Sequence, residues 1–388
     1  MKTNLVFLAP VFSRSGYGEH AREILFSLYN NPSLNIGVLP TSWGAASDVS
    51  ELTQRESSIL NFTINNHISP NAPFIWLQLG IPPEFQSRGN YNIGVTAGLE
   101  VDTLPSKWLE YLNRMQIIVV PATTTKQRME DLGVSCEVVV IPEGVDKNYF
   151  NPEIKYELPY QFTTKYNFLT AGQWIQQGDR KRIGDIIRVF CKKFKNNPEV
   201  GLIVKTFLTN TSSPDAVVAE DQIRYIKQAM GCEKAKIYLF HGDMTTLELG
   251  MLFNHPSIVG FITASSGEGW GRYIAEAVAS GKPIAVPDWN TGYIDFIPKQ
   301  SSIMMPAKLE DIPPMIYQDG LFERGMKWAR VADEDIEKAF DTLLEKQQEL
   351  AEKAKAYVPS FLEKYSKEVV QKMWNDFMNS TLKELAGR

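Results

Sequence analysis

Short apolar runs rich in β-branched residues alternate along this chain with longer stretches whose apolar residues recur at helical spacing. Leu5–Pro10 is the first such run. A loop, Ser13–Gly18, follows it, and then a helix over Glu19–Tyr29 carrying Ile24, Leu25 and Leu28. Ile36–Pro40, Phe74–Leu77, Ile93–Thr96, Ile117–Pro121 and Val138–Ile141 read as further strands, with helices predicted over Ser106–Met115 and Thr124–Leu132. Unbroken apolar runs mark strands covered on both faces, and strand–helix alternation of this kind builds a parallel sheet. A second alternation starts at Tyr166–Gly172. It continues through a helix at Ile183–Phe194 and strands at Val200–Thr206, Ile237–Phe240, Val259–Ala264 and Pro283–Pro287.

The pattern predicts an α/β chain with two parallel-sheet domains, 1–155 and 160–360. A proline-containing polar linker runs between them up to Tyr160. Apolar spacing at Ile336, Phe340, Leu343 and Leu344 predicts one long amphipathic helix over Asp335–Lys355, and a second covers Tyr365–Leu385.

Composition narrows the class. A chain of 388 residues, 44% of them hydrophobic, has material for two cores. The opening MKTNLVFLAPVF is too short to span a membrane and reads as a first strand, not a signal peptide. Cys136, Cys191 and Cys232 are scattered and lack CxxC spacing, so neither a disulfide framework nor a metal site is expected, and a cytoplasmic setting fits. The net charge is −5, and residues 1–150 hold 10 basic against 14 acidic side chains. That balance offers a polyanion no global attraction.

The chemistry concentrates in Ser265–Ala277. An apolar strand runs into Gly267-Glu268-Gly269-Trp270-Gly271-Arg272-Tyr273, and helical spacing (Ile274, Ala277, Val278) follows. Unpaired amides at a helix start face an anion, while Glu268 in the turn and Glu276 on the helix suit sugar and ribose hydroxyls. A glycine-rich corner alone is common, and two solvated glutamates are the plain alternative. Gly16 and Gly18, between first strand and first helix, let another molecule approach the backbone, Gly16 being the expected close-approach residue. Arg180, Lys181 and Arg182 follow a strand end and suit a diphosphate, or else form a solvated basic helix start. Lys205 ends the next strand within reach of a nucleotide. Trp289–Tyr293 is a further loop on the same sheet edge. His20 is expected at the surface or in a capping role.

The stretches SSGEGWG and EAVASGKPIAV, with Glu268 and Glu276 in Glu-x7-Glu spacing, resemble the signature of retaining GT-B glycosyltransferases, family 4 in particular. The resemblance implies two Rossmann-like domains facing a cleft. The C-terminal helix, about 365–388, would cross back to the first domain. Glu268 would hold the donor sugar and Glu276 the nucleotide ribose, with Gly269, Trp270, Gly271 and Tyr273 around them. Many relatives carry a histidine in the loop matched here by GLEVDTLP, which has none, leaving Glu100 or Asp102 as the substitute. Gln173 stands where relatives place a diphosphate-binding Arg; Lys181 best matches their Lys, Arg180 is the fallback, and Arg272 is a candidate to restore the charge. The segment PEGVD…FNP resembles the family's interdomain turn, with Gly144 permitting the bend and Asp146 capping it.

The activity so implied is transfer of a sugar from a nucleotide-diphosphate sugar, a UDP-sugar being favoured, with no metal or other cofactor required. The chain would act as a monomer or weak homodimer. APVFSRSGYGEHAREIL looks like the start of glycosyltransferases encoded by tailed phages, some of which decorate hydroxymethylated pyrimidines in DNA. Phage origin would place the chain in the host cytoplasm. The acceptor is therefore either modified DNA, whose base must first be exposed, or a glycan, glycolipid or protein. A sugar-nucleotide epimerase or a phosphorylase on the GT-B fold, and a non-catalytic sugar-nucleotide binder, are the alternatives.

Overall fold

The computed structural model describes residues 2–44, 46–49, 51–156, 159, 161–175 and 178–387. Part of the expected linker (157, 158 and 160) and Gln176–Gln177 of the loop before Arg180 lie outside the described residues.

The first half runs β1 (Thr3–Ala9), α1 (Gly16–Leu28), β2 (Leu34–Pro40), α2 (Gln54–Asn65), β3 (Phe74–Leu79) and β4 (Tyr91–Val95). It ends with α3 (Trp108–Leu112), β5 (Ile117–Val120), α4 (Thr123–Leu132) and β6 (Glu137–Val140). The second half runs β7 (Tyr166–Gln173), α5 (Ile183–Phe194), β8 (Val200–Phe207), α6 (Ser213–Ala229), β9 (Lys236–His241) and α7 (Thr246–Phe253). β10 (Ile258–Ile262), α8 (Arg272–Ala279), β11 (Ile284–Asp288), β12 (Ser302–Asp311) and β13 (Lys327–Val331) follow. Three helices close the chain: α9 (Asp333–Glu345), α10 (Gln347–Tyr365) and α11 (Lys367–Gly387).

The strands form two sheets, ordered β2-β1-β3-β4-β5-β6 and β13-β12-β11-β10-β7-β8-β9. All pairings are parallel except β12–β13. This is the GT-B architecture of two Rossmann-like lobes. In the second sheet β7 lies between β8 and β10, so successive crossovers leave it in opposite directions. A crevice opens at the carboxyl ends of strands flanking such a switch point, which puts the loops after β7 and β10 at its mouth.

Three ties hold the lobes together away from the cleft. α11 crosses back onto the first lobe, burying Val370, Trp374 and Met378 in the core with Ala21, Ile24 and Leu28 of α1. Asn375 donates from Nδ2 to the Ser27 carbonyl at 2.7 Å. The chain pairs with itself at the crossover, where Val145 N donates to the Tyr365 carbonyl at 2.8 Å and Lys367 N to the Val145 carbonyl at 3.0 Å. The β12–β13 hairpin forms the third tie. Ile312, Met326 and Trp328 join Leu99, Val101, Leu104 and Trp108 in one buried cluster.

Some expectations shift. The predicted helix over 335–355 breaks at Lys346, giving α9 and α10. The helix predicted from Ser106 starts at Trp108 without a side-chain cap. Gly144 has no left-handed backbone angle; a Cβ there would crowd Glu23 and come 2.8 Å from the Lys367 Cα, so close packing is what requires glycine. Asp146 does cap its turn, its Oδ1 accepting from Asn148 N at 3.0 Å.

Candidate functional site

Thr263–Gly271 turns from β10 into α8. Gly271 sits at φ +97°, a left-handed backbone that favours glycine, and it starts α8 with no side-chain cap on the first amides. The turn is pinned from Thr291, whose hydroxyl accepts from Glu268 N at 2.9 Å and donates to the Glu268 carbonyl at 2.7 Å. Gly269 lies against the other lobe, since a Cβ there would meet the Ala97 Cβ at 2.8 Å. The glycines therefore let the two lobes close on each other here.

Glu268 receives both nearby cations. Lys181 Nζ is 2.6 and 2.5 Å from its two carboxylate oxygens, and Arg180 Nη1 is 3.9 Å from Oε2. Burial works to raise the Glu268 pKa, but Lys181 and Arg180 outweigh it and hold the carboxyl below its ordinary value. Burial pulls Lys181 below the usual lysine range, against the attraction of Glu268. Arg180 also reaches across the lobes, with Nη2 3.0 Å from Glu100 Oε1, and donates to the Gly267 carbonyl. Lys181, Arg180, Glu268 and Glu100 are thus one cluster at the switch point. Asp102 is not part of it. Its Oδ1 accepts from Lys327 N at 2.7 Å, which fastens the loop to the hairpin.

A second cluster fills the lobe junction below α8. Arg272 Nη2 is 2.5 Å from Glu143 Oε2 and 4.0 Å from Glu23 Oε2. Burial opposes its charge, yet Glu143, Glu23, Glu19 and Glu276 together raise its pKa further above the ordinary arginine value. The expected pairing of Arg272 with a diphosphate is, in this structure, a pairing with carboxylates of the first lobe. Burial pushes Glu276 up to about 8, opposed by Arg272, and pushes Glu23 to about 8 for the same reason. His20 is buried, not exposed, with Nδ1 3.9 Å from Glu143 Oε1. Among the described residues, four buried polar atoms here have no hydrogen-bond partner: His20 Nε2, Glu23 Oε2, Arg272 Nε and Glu276 Oε2.

The remaining candidates divide. A Cβ at Gly16 would meet nothing within 4 Å, so the first turn of α1 lies open. Gly18 is the crowded one, packed on the Ser13 carbonyl of its own loop. Lys205 is buried and donates to the Gly242 carbonyl; burial lowers its pKa to about 8 against the charge of Asp243. Trp270 packs into the core, 4.6 Å from the Phe296 ring and 5.5 Å from Tyr365, and Tyr273 stacks on Phe253. Arg182 pairs with Asp185 at the start of α5.

Residues not anticipated also belong to the junction. Tyr17 stacks on Trp43 at 3.8 Å and its hydroxyl accepts from Ala97 N at 3.2 Å. Arg14 Nη1 donates to the Met244 carbonyl at 3.2 Å in the other lobe. The one signal for Glu23 in the sequence is a charged residue beside the apolar positions of α1. Among the described residues, no group of three or more His, Cys, Asp or Glu side chains is placed to hold a metal, and no helix is long and apolar enough to cross a membrane.

No protein-family model and no curated protein matches this sequence. Solved structures do resemble it. A glycosyltransferase from Rickettsia africae superposes with TM-score 0.65 over 98% of this chain and 99% of that one, at 14% identity. Sucrose-phosphate synthase from Thermosynechococcus elongatus gives TM-score 0.64 over 99% and 100%, at 11% identity. The Anabaena protein HepE, solved in complex with UDP and glucose, gives 0.64 over 97% and 100%, at 11% identity. At these identities the likeness is one of fold, and it is the fold of GT-B glycosyltransferases over nearly the full length of the chain.

Proposed function

We propose that this protein is a glycosyltransferase that takes a sugar from a nucleotide-diphosphate sugar, a UDP-sugar being favoured, and passes it to an acceptor hydroxyl. The observation that carries this reading is the set of four buried polar atoms without a hydrogen bond on His20, Glu23, Arg272 and Glu276. Each such atom costs about 1–3 kcal/mol unless something pairs with it. A ribose diphosphate offers hydroxyl donors to the carboxylates and anionic oxygens to Arg272 and the open first turn of α8. UDP and glucose in HepE support the same class of ligand on this fold.

In this reading Glu268 accepts hydrogen bonds from the donor sugar, and Lys181 and Arg180 turn from Glu268 and Glu100 toward the diphosphate. Their charge stabilises the departing diphosphate as the sugar–phosphate bond breaks. The resemblance to retaining family 4 enzymes favours attack from the same face, with a diphosphate oxygen taking the acceptor proton. Glu100, facing Glu268 across the gap, positions the acceptor or its proton.

A carbohydrate acceptor is preferred to modified DNA. The first-lobe side of the junction presents Glu19, Glu100 and Glu143, which repel a phosphate backbone. The deciding experiment incubates the protein with UDP- and other sugar nucleotides, an oligosaccharide panel and hydroxymethylcytosine DNA, and reads product mass and anomeric configuration. Transfer with retention is expected. Phosphate-dependent release of sugar phosphate would make it a phosphorylase, and binding without turnover a non-catalytic sugar-nucleotide protein.

A further inference from the structure

A cavity of about 600 Å³ opens at the amino ends of β10 and β11, the opposite end of the sheet from the cleft. Its walls are the segment after Pro152, the C-terminal ends of α7 and α8, and the first turns of α10. The volume lies within the range of small-molecule sites.

The charge of the lining is one-sided. Lys155, Lys282 and Lys355 line it and no Asp or Glu does, in a chain whose net charge is −5. None of the three forms an ion pair with a described carboxylate, whereas many other lysines of the chain do. Lys282 donates to the carbonyls of His255 and Ile258 at 2.9 and 3.3 Å, which holds the chain after α7 and leaves its third N–H unspent. Lys155 and Lys355 stand exposed at the rim. Burial, reinforced by the charge of Lys355, pushes Lys282 down to about 7, and no described carboxylate offsets this, so an anion entering the cavity would restore its full charge.

Two further features point to a ligand. Ser280 is 2% exposed and lines the cavity, and its hydroxyl has no partner; Asn254 Oδ1 in the same wall has none either. Gln347 and Gln348 open α10, a helix of 19 residues without a side-chain cap, so its positive end and unpaired first amides adjoin the same space.

We propose that this cavity binds a phosphate-bearing small molecule of about monosaccharide size, at a site separate from the cleft. The three lysines and the α10 amides take the phosphate oxygens. Ser280 and Asn254 take hydroxyls of the organic part. Because α8 carries Glu276 on the cleft side and ends at this cavity, an occupant here contacts the same helix from its other end.

Calorimetry on the full chain tests this, with UDP present in excess to occupy the cleft. The probes are a hexose 6-phosphate, inorganic phosphate and unphosphorylated hexose. One hexose phosphate is expected to bind per chain while the free hexose does not. Lys155→Glu and Lys355→Glu, both at exposed positions, should each weaken binding about tenfold or more at unchanged melting temperature. Inorganic phosphate binding as tightly as the hexose phosphate would support the phosphate subsite and narrow the ligand to the ion. The proposal is overturned by any of three results. These are no binding of either phosphate, binding unchanged in both lysine variants, or loss of binding when UDP is added. The outcome does not depend on whether the cleft transfers sugar.

Discussion

Lys181 and Glu268 hold each other in a two-point contact, 2.6 and 2.5 Å, although 87 residues separate them. They stand on loops after adjacent strands, β7 and β10, and meet only because those strands are neighbours at the switch point. In the ligand-free chain each satisfies the other. Under the proposed function an entering donor would free both, so the contact would keep two charged groups poised without leaving either bare.

Removing one partner strands the other in a partly desolvated place. Lys181→Met and Glu268→Gln should each lower turnover about 100-fold or more. The double variant should be little worse than either single one, because paired residues are not additive. Steady-state kinetics with a sugar nucleotide checks this, and wild-type turnover in both single variants would remove these residues from the site.

Arg272 should matter to donor binding more than an exposed arginine does. Arg272→Ala is expected to raise the donor KM about tenfold or more, against no change for Arg224→Ala, which is 65% exposed. It should also destabilise the fold by about 3 kcal/mol or more, since Glu143 loses its counter-charge while buried. Urea denaturation measures the second effect and kinetics the first.

Gly16 and Gly18 should separate cleanly. Gly18→Ala drives a Cβ into the Ser13 carbonyl and should cost about 1–3 kcal/mol. Gly16→Ala meets no protein atom within 4 Å and, in a helix, should be neutral or stabilising by about 0.5–1 kcal/mol. If the donor approaches that backbone, the same variant binds donor more weakly. Thermal melts beside donor titration distinguish the two.

The pH dependence of stability should carry the mark of Glu276. Its carboxyl lies near 8 in the folded chain against an ordinary 4.5, so the folded state keeps a proton that the unfolded state has lost. Stability from this group is full below about 4.5 and falls as pH rises toward 8. Lys282, lowered from 10.5 to about 7, acts with the opposite sign above 7. The window without Lys282 is about pH 4.5–7, where Glu23 acts in the same direction and Glu276→Gln should flatten part of the fall relative to wild type. Equal slopes in both proteins would sink the prediction.

The crossing helix should be required by the first lobe. Trp374 is fully buried there, and Trp374→Ala should cost about 3–5 kcal/mol. A loss below about 1 kcal/mol would mean that α11 is dispensable to that core.

Much of this architecture is legible in the chain because its signals are local. Ile117–Val120 and Ile258–Ile262 are buried along their whole length, and unbroken apolar runs of this kind announce strands covered on both faces. The hairpin β12–β13 gives a weaker announcement, because the apolar run Ile303–Met305 is short and ends at Pro306, and Lys308–Asp311 beyond it is exposed. α2 has a readable start in Thr53 and Glu56, which form a capping box, but its apolar face is weak.

The sequence by itself determined the two strand–helix alternations and put Glu268 in a turn and Glu276 on the helix after it, since burial periodicity and glycine geometry act over a few residues. Only the tertiary structure decided that Arg272 meets Glu143 and Glu23, that Glu100 meets Arg180, and that Asp102 serves the hairpin instead. Those pairings follow from how two lobes dock, and long-range charge contacts leave no periodic trace in the chain that makes them.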